Sequence, residues 1–385
     1  KDLKIASARM NELAALKRID FANMFPQATA RLNGNRETTN YGGDNFDADP
    51  ELSLTASISW ELDLWGNLRW ARDHSTAEFL ASVENCRAVK IGLVAQVAQS
   101  YFELMALDNE LAIVRRTLEA RREGVRLAEI RFKGGLTSEI VFQQAKVELA
   151  KTATMVPDLE RRISLKESEI ALLTGDFPYA VNRNVLPEEI QLPDALPLGL
   201  PSTLLERRPD IRKAERELMA AHAEVGLAYT NMFPRLALTA TLGAESETLR
   251  DLLKSPYSYL AGNLLSPLFA MGKNRAALKA KRTAYESAVA EYEKTVLTAF
   301  KETHDAIINF NKIKDIYESR RQLAEASRTA VELAQLQYIN GVIGYLDLLD
   351  AQRNYFDAQV SLSNAVCDKQ LMIINLYKAL GGGWK

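Results

Sequence analysis

Two cysteines and three histidines are all that 385 residues offer of the side chains that most often hold metals or attack substrates. Cys86 and Cys367 stand far apart with no His or Cys beside them, so zinc and dithiol redox motifs are absent, and both read as small buried residues. His74, His222 and His304 sit singly within helical stretches, and no GxSxG, P-loop or HExxH pattern occurs. The inventory predicts no catalyst, no cofactor and no metal. Net charge is nearly missing too: Lys+Arg 48 against Asp+Glu 50 leaves −2, so no global field draws nucleic acid or anionic lipid. No apolar run reaches the 18 residues of a transmembrane helix, which says nothing against barrel strands, whose signal is far weaker. Beginning at Lys1, the chain reads as a mature or truncated form whose targeting segment is not visible.

Glycine and proline are missing where their absence matters. Between Gly66 and Gly134-Gly135 there is no Pro and only Gly92 and Gly124 intervene, while 273–338 contains neither type. A helix of that length spans about 100 Å at 1.5 Å per residue. Val289, Tyr292, Val296, Ala299, Thr303, Ala306, Phe310, Ile313 and Tyr317 recur at the three-and-four spacing of a coiled-coil seam. The return helices are half as long, which predicts a rod or tube wall rather than a compact globule.

What is present is present twice. Phe21-Ala22-Asn23-Met24-Phe25-Pro26 returns as Tyr229-Thr230-Asn231-Met232-Phe233-Pro234. Gly66 returns as Gly272, Phe132-Lys133-Gly134-Gly135 as Tyr338-Ile339-Asn340-Gly341, and Leu173-Thr174-Gly175 as Ala379-Leu380-Gly381, all three at an offset of 206. Such register over a hundred residues marks a tandem duplication. Its join falls near 190–200, where Pro187, Pro193, Pro197 and Pro201 interrupt any helix. The predicted repeats are 1–195 (hairpin about 28–64, long helix about 66–132, return helix about 138–174) and 196–385 (hairpin about 234–266, long helix about 273–338, return helix about 344–380).

The strand signal is strong. From Leu52 to Leu64 even positions are apolar and odd ones polar, thirteen residues of period two. Leu236, Leu238, Ala240 and Leu242 repeat the pattern against Arg235, Thr239 and Thr241. Four strands cannot close a membrane barrel, and an open sheet would leave backbone groups unpaired in lipid. Three copies would supply twelve. The expected fold is therefore mainly α with β: two tandem repeats, each a β-hairpin plus very long antiparallel coiled-coil helices. A homotrimer would form a 12-stranded transmembrane β-barrel and a helical barrel.

Three stretches then carry a resemblance. Leu200-Pro201-Ser202-Thr203-Leu204-Leu205-Glu206-Arg207-Arg208-Pro209-Asp210-Ile211 is similar to a linker motif of the TolC-like outer membrane factors, in the lipoprotein branch serving resistance-nodulation-division efflux pumps. Asn375-Leu376-Tyr377-Lys378-Ala379-Leu380-Gly381-Gly382-Gly383-Trp384 resembles that branch's C-terminal motif, and Trp60-Glu61-Leu62-Asp63-Leu64-Trp65-Gly66 its strand-to-helix junction. The resemblance implies a trimeric outer-membrane channel of a Gram-negative bacterium, reaching into the periplasm. It would give drugs or small solutes passive exit from a tripartite pump, and its partners would be a periplasmic adaptor (membrane fusion) protein, an inner-membrane efflux transporter and outer-membrane lipid. Family members commonly carry a lipidated N-terminal Cys, and this sequence begins inside the first equatorial helix without one. Type I protein secretion or metal export through the same duct is the near alternative; a periplasmic coiled-coil spacer or adhesin, from another class, has no need of strands.

The resemblance also places the periplasmic tips at 133–137 and 339–343. It implies that Asp347 and Asp350, three apart on one helix face, ring the aperture with Tyr338 beside them. The plain alternative is that acids in a first turn favour the helix dipole. Val141 replaces the first acid in the other repeat, and Glu139 lies nearby. Gly135, Leu136, Thr137, Gly341 and Val342 are the expected adaptor contacts, and Trp60, Trp65, Trp70 and Tyr257 an expected interfacial belt, with packing at the equator the alternative for Trp70. Counted up from the tips, Cys86 and Cys367 should lie about 35 Å apart in height, too far for a disulfide.

Overall fold

The computed structural model describes residues 1–39, 47–183, 206–267 and 269–382; the proposed join at 190–200, with its four prolines, lies outside them. In chain order the elements are α1 (Asp2–Ala22), β1 (Gln27–Thr39), β2 (Asp47–Leu62), α2 (Asn67–Lys133), α3 (Glu139–Thr174), α4 (Pro209–Thr230), β3 (Arg235–Ser246), β4 (Pro256–Leu265), α5 (Lys273–Ile339) and α6 (Tyr345–Ala379). They form two compact units that cut across the repeats. One takes Lys1–Leu3, Arg87–Pro209 and Leu297–Lys385; the other takes Lys4–Cys86 and Asp210–Val296.

In the second unit the four strands make one antiparallel sheet in the order β1-β2-β3-β4. The central pair joins the two repeats: Leu54 faces Ala244, Ile58 faces Ala240 and Trp60 faces Leu238. This register puts Leu32, Leu54, Ile58, Trp60, Leu238, Leu242, Leu260 and Leu264 on one face. That face is the exposed one: Ile58 is 54%, Leu242 67% and Leu260 79% accessible. The opposite face carries hydroxyls that satisfy one another, as Ser57 and Thr241 do at 2.9 Å. On it the Tyr257 ring lies over Gly243, where an added Cβ would meet the ring at 2.5 Å.

The duplication is visible bond for bond at the entry to the hairpins. In the first copy the amides of Asn23, Met24 and Phe25 donate to the carbonyls of Ile19, Phe21 and Ala22; in the second, Asn231, Met232 and Phe233 donate to Leu227, Tyr229 and Thr230. Phe21 meets Phe25 edge-on at 5.1 Å, as Tyr229 meets Phe233 at 5.2 Å. Two tryptophans clip these turns: Trp60 Nε1 donates to the Met24 carbonyl at 3.0 Å and Trp65 Nε1 to that of Pro234 at 2.8 Å. Trp70 belongs elsewhere, packed against His222 and filling the space left by Gly226.

The first unit is coiled coil. Leu104, Leu107, Leu111 and Val114 of α2, at alternating spacings of three and four, pack on Leu159, Ile163 and Ile170 of α3. Ala306 and Phe310 of α5 pack on Leu376 and Ala379 of α6. Polar bridges tie α2 to α6, with Gln99 donating to Asn375 at 2.7 Å and Asn109 to Ser363 at 2.8 Å. Pro157 lies inside α3 without ending it. Both cysteines are free thiols; burial pushes that of Cys367 up to about 11, which keeps it protonated and inert.

Two of the resembling motifs meet here. Arg208, 6% exposed, donates Nη1 to the Ala379 carbonyl at the end of α6 (3.1 Å) and Nη2 to Glu302 of α5 (2.6 Å). Thr303 donates to the same Ala379 carbonyl at 3.2 Å. Gly381, at φ +91, lies so close that a Cβ would stand 3.0 Å from the Arg207 carbonyl oxygen. Gly381→Ala is therefore expected to lower stability by roughly 1–3 kcal/mol. Gly124→Ala, where a Cβ meets nothing within 4 Å in mid-helix, should raise it by about 0.5–1 kcal/mol. Denaturant unfolding of the two variants side by side measures the contrast; equal midpoints would dissolve the clasp.

Candidate functional site

Each helical hairpin turns on a glycine forced by backbone geometry. Gly135 has φ +69 and Gly341 φ +75, the left-handed region that other residues enter at a cost. Around both glycines the space is open, so conformation and not crowding requires them. The carbonyls of each helix end are then taken up: Leu136 N donates to Arg131 O at 2.8 Å, and Val342 N to Gln337 O at 2.9 Å. These turns push apolar side chains into solvent, Leu136 at 78% and Val342 at 71% exposure, with Thr137 half-buried beside them.

Asp347 and Asp350 sit exposed on the first two turns of α6. They line an open groove with Ala326, Ser327 and Ala330 of α5. Asp347 Oδ2 also accepts the Gly344 amide at 3.0 Å and so caps its own helix, while Asp350 Oδ2 accepts from Asn354 at 3.2 Å. Tyr338 is not in the groove. It is 8% exposed, edge-on to Tyr345 at 5.9 Å, with the Arg131 guanidinium 4.6 Å over its ring. Arg131 also donates to the carbonyls of Tyr338 and Ile339, both at 3.4 Å, so the first hairpin caps the last turn of α5.

A second link joins the hairpins at Glu148, a residue that sequence reasoning did not single out. It is 4% exposed on the core face of α3, in line with Ala145, Thr152, Leu159 and Ile163. Arg121 of α2 reaches its Oε2 at 2.7 Å, Lys151 its Oε1 at 3.2 Å, and Arg353 of α6 forms a third ion pair. The hydrogen bond from Arg353 is the largest influence on its carboxyl, outweighing the opposing effect of burial and holding it down at about 2. Nearby, burial pushes the Tyr345 hydroxyl above its usual range. A charged residue in a heptad core register was the available signal. Neither link has a counterpart in the other repeat: the positions matching Arg131, Glu148 and Arg353 are Gln337, Asn354 and Val147.

Among the described residues no group of three His, Cys, Asp or Glu is placed to hold a metal, and no helix is long and apolar enough to cross a membrane.

The profile of a family described as outer membrane efflux protein matches residues 1–176 and 200–382. The chain is 33% identical to the solvent efflux pump outer membrane protein SrpC of Pseudomonas putida, covering 100% of this chain and 83% of that protein. It is also 33% identical to the outer membrane protein OprJ of Pseudomonas aeruginosa, covering 95% and 78%. Among solved structures, the open state of the MtrE outer membrane channel of Neisseria gonorrhoeae superposes with a TM-score of 0.90 at 27% identity, over 100% of this chain and 87% of that one. Matched along nearly its whole length by profile, sequence and backbone, the chain belongs to the outer membrane efflux protein family.

Proposed function

We propose that three copies of this chain assemble into the outer-membrane duct of a tripartite efflux pump, giving small solutes passive exit. The observation that carries the reading is the inside-out sheet, apolar on its exposed face and polar on the other, with β1 and β4 each paired on one side only. From Leu52 to Leu62 the apolar face rises about 33 Å along the strand at 3.3 Å per residue, which at a 35–45° tilt matches an apolar band of about 25 Å. Closing β4 of one copy on β1 of the next satisfies the edge amides that lipid cannot. The two sequence repeats, 1–195 and 196–385, then alternate around the ring.

In the unit that holds the glycine turns, Gly135, Leu136, Thr137, Gly341 and Val342 are the contacts for a periplasmic adaptor, with an inner-membrane transporter beyond it. The exposed apolar Leu136 and Val342 support that reading. Asp347 and Asp350 ring the aperture, six carboxylates in three copies that favour cations. Arg131 on Tyr338 and Glu148 with Arg353 hold the second hairpin against the first, and thereby hold the aperture narrow. These links join elements of unequal burial: Glu148 and Arg121 are buried, while the Arg353 side chain is 47% exposed and is the end that can let go.

Solubilised protein is expected to run as a trimer and to form ion-conducting pores in planar bilayers; a stable non-conducting monomer would end the duct reading. Asp347→Ala combined with Asp350→Ala should alter conductance and reduce cation preference, and an unchanged reversal potential removes both acids from the aperture.

Glu148 predicts the pH dependence. Its carboxyl is held below the ordinary 4.5, so the link is complete above that pH and is lost as pH falls from 4.5 towards about 2. Pore openings should become more frequent across that window. Glu148→Gln, which leaves Arg121 buried without its charge partner at a cost of roughly 3 kcal/mol, should open often at neutral pH and lose the acid step. Single-channel recordings of both proteins from pH 6 to 3 decide it; parallel acid responses would discard the link.

A further inference from the structure

The two strand-to-helix junctions differ in charge. Residues 67–76, opening α2, carry Arg69, Arg72 and Asp73; residues 273–282, opening α5, carry Lys273, Arg275, Lys279, Lys281 and Arg282 and no acid. In the first junction the cations are matched within the chain: Asp63 pairs with Arg69 at 3.1 Å and Asp73 with Arg72 at 2.7 Å. The positions matching those two acids are Phe269 and Lys279. In the second junction only Lys281 has a side-chain partner, Glu224 at 2.8 Å, while the side chains of Lys273, Arg275, Lys279 and Arg282 make no ion pair or hydrogen bond among the described residues. Two of them, Lys273 and Arg275, also stand in the first turn of the helix, where the dipole disfavours cations. A cost of that kind, absent from the sister copy, calls for an anion from outside the chain.

The neighbourhood says which kind. Leu264, at 67% exposure, lies on the apolar face of the sheet, and Phe269 and Met271 follow it at 83% and 85%. Met271 is held at φ +47, the one non-glycine residue with positive φ among those described, ahead of Gly272 at +79. An apolar face runs through two protruding apolar side chains into four unmatched cations, Arg275, Lys279 and Arg282 lying at i, i+4 and i+7 on one helical stripe. That order is the profile of a bilayer edge: acyl chains, then interface, then phosphate. We propose that the opening of α5 is a binding site for an anionic phospholipid of the periplasmic leaflet, Phe269 and Met271 entering the acyl region and Arg275, Lys279 and Arg282 taking the headgroup phosphate. The site rests on the membrane reading of the sheet and adds to it a lipid preference confined to the second repeat.

The test is native mass spectrometry of the full-length trimer in detergent, titrated with phosphatidylglycerol or with phosphatidylcholine, alongside bilayer conductance of the same sample. Wild-type protein should retain phosphatidylglycerol at least tenfold more tightly than phosphatidylcholine, and the preference should shrink as salt rises. Lys279→Asp, which copies the first repeat, should lower that retention about fivefold or more, and Lys273→Gln/Arg275→Gln/Lys279→Gln/Arg282→Gln should abolish the preference with conductance intact. Unchanged phosphatidylglycerol retention in conducting variants overturns the proposal, as does full displacement of the lipid by millimolar inorganic phosphate. Loss of trimers in Lys279→Asp overturns it in favour of a contact between copies. A wild-type protein that neither assembles nor conducts would instead bring down the duct reading itself.

Discussion

A backbone amide in hydrocarbon has no water to fall back on. β1 and β4 each present a row of such groups with no partner strand on their outer side, and on the membrane reading everything else follows from that deficit. The sheet must be completed by its own copies, the copies must form a ring, and a ring of polar-faced strands encloses water. Once a passage exists through the membrane, its closure has to be managed elsewhere. Helices of 67 residues lead from the sheet strands to the glycine turns in the sequence.

Duplication makes this economical, and divergence between the copies makes it useful. Where both repeats do the same job they are the same, down to three matching amide bonds and one aromatic pair at each hairpin entry. At the tips they have parted. The first hairpin supplies Arg121, Arg131 and Glu148; the second supplies Tyr338, Tyr345, Asp347, Asp350 and Arg353. Each half both gives and receives: Arg131 of the first caps α5 and lies over Tyr338 of the second, while Arg353 of the second pairs with Glu148 of the first. The opening of α5 has parted from that of α2 as well, in charge and in the positive φ of Met271 ahead of it.

Much of this was legible before any coordinates. Period-two alternation located β2 and β3, and the scarcity of glycine and proline located α2 and α5, because both signals are local. The pairing of β2 with β3 was not legible, since it joins segments that alternation alone cannot put in register. Glu148 was not singled out because a Glu between Lys146 and Lys151 looks like a wetted face; only its place in line with Ala145 and Thr152 betrays the core. Trp70 was open between belt and packing, and Gly226 decided it: a glycine within a helix there makes room for the indole. Arg208 could not be assigned, because carbonyls among its partners carry no residue-type signature and its carboxylate partner, Glu302, lies 94 positions away. The pairing of acids at 347 and 350 was clear, but not that Asp347 spends one oxygen on its own helix cap.

The clasp at Arg208 and the strand pair β2–β3 share a property that bears on biogenesis. Arg208 closes on Ala379 across 171 residues, and Ser57 meets Thr241 across 184. Contacts of such separation form late, after the loop entropy of most of the polypeptide has been overcome. Neither half can mature while the other is still being made. A nascent chain delivered amino end first therefore keeps β2 without β3, and Arg208 without Ala379, until those later segments arrive.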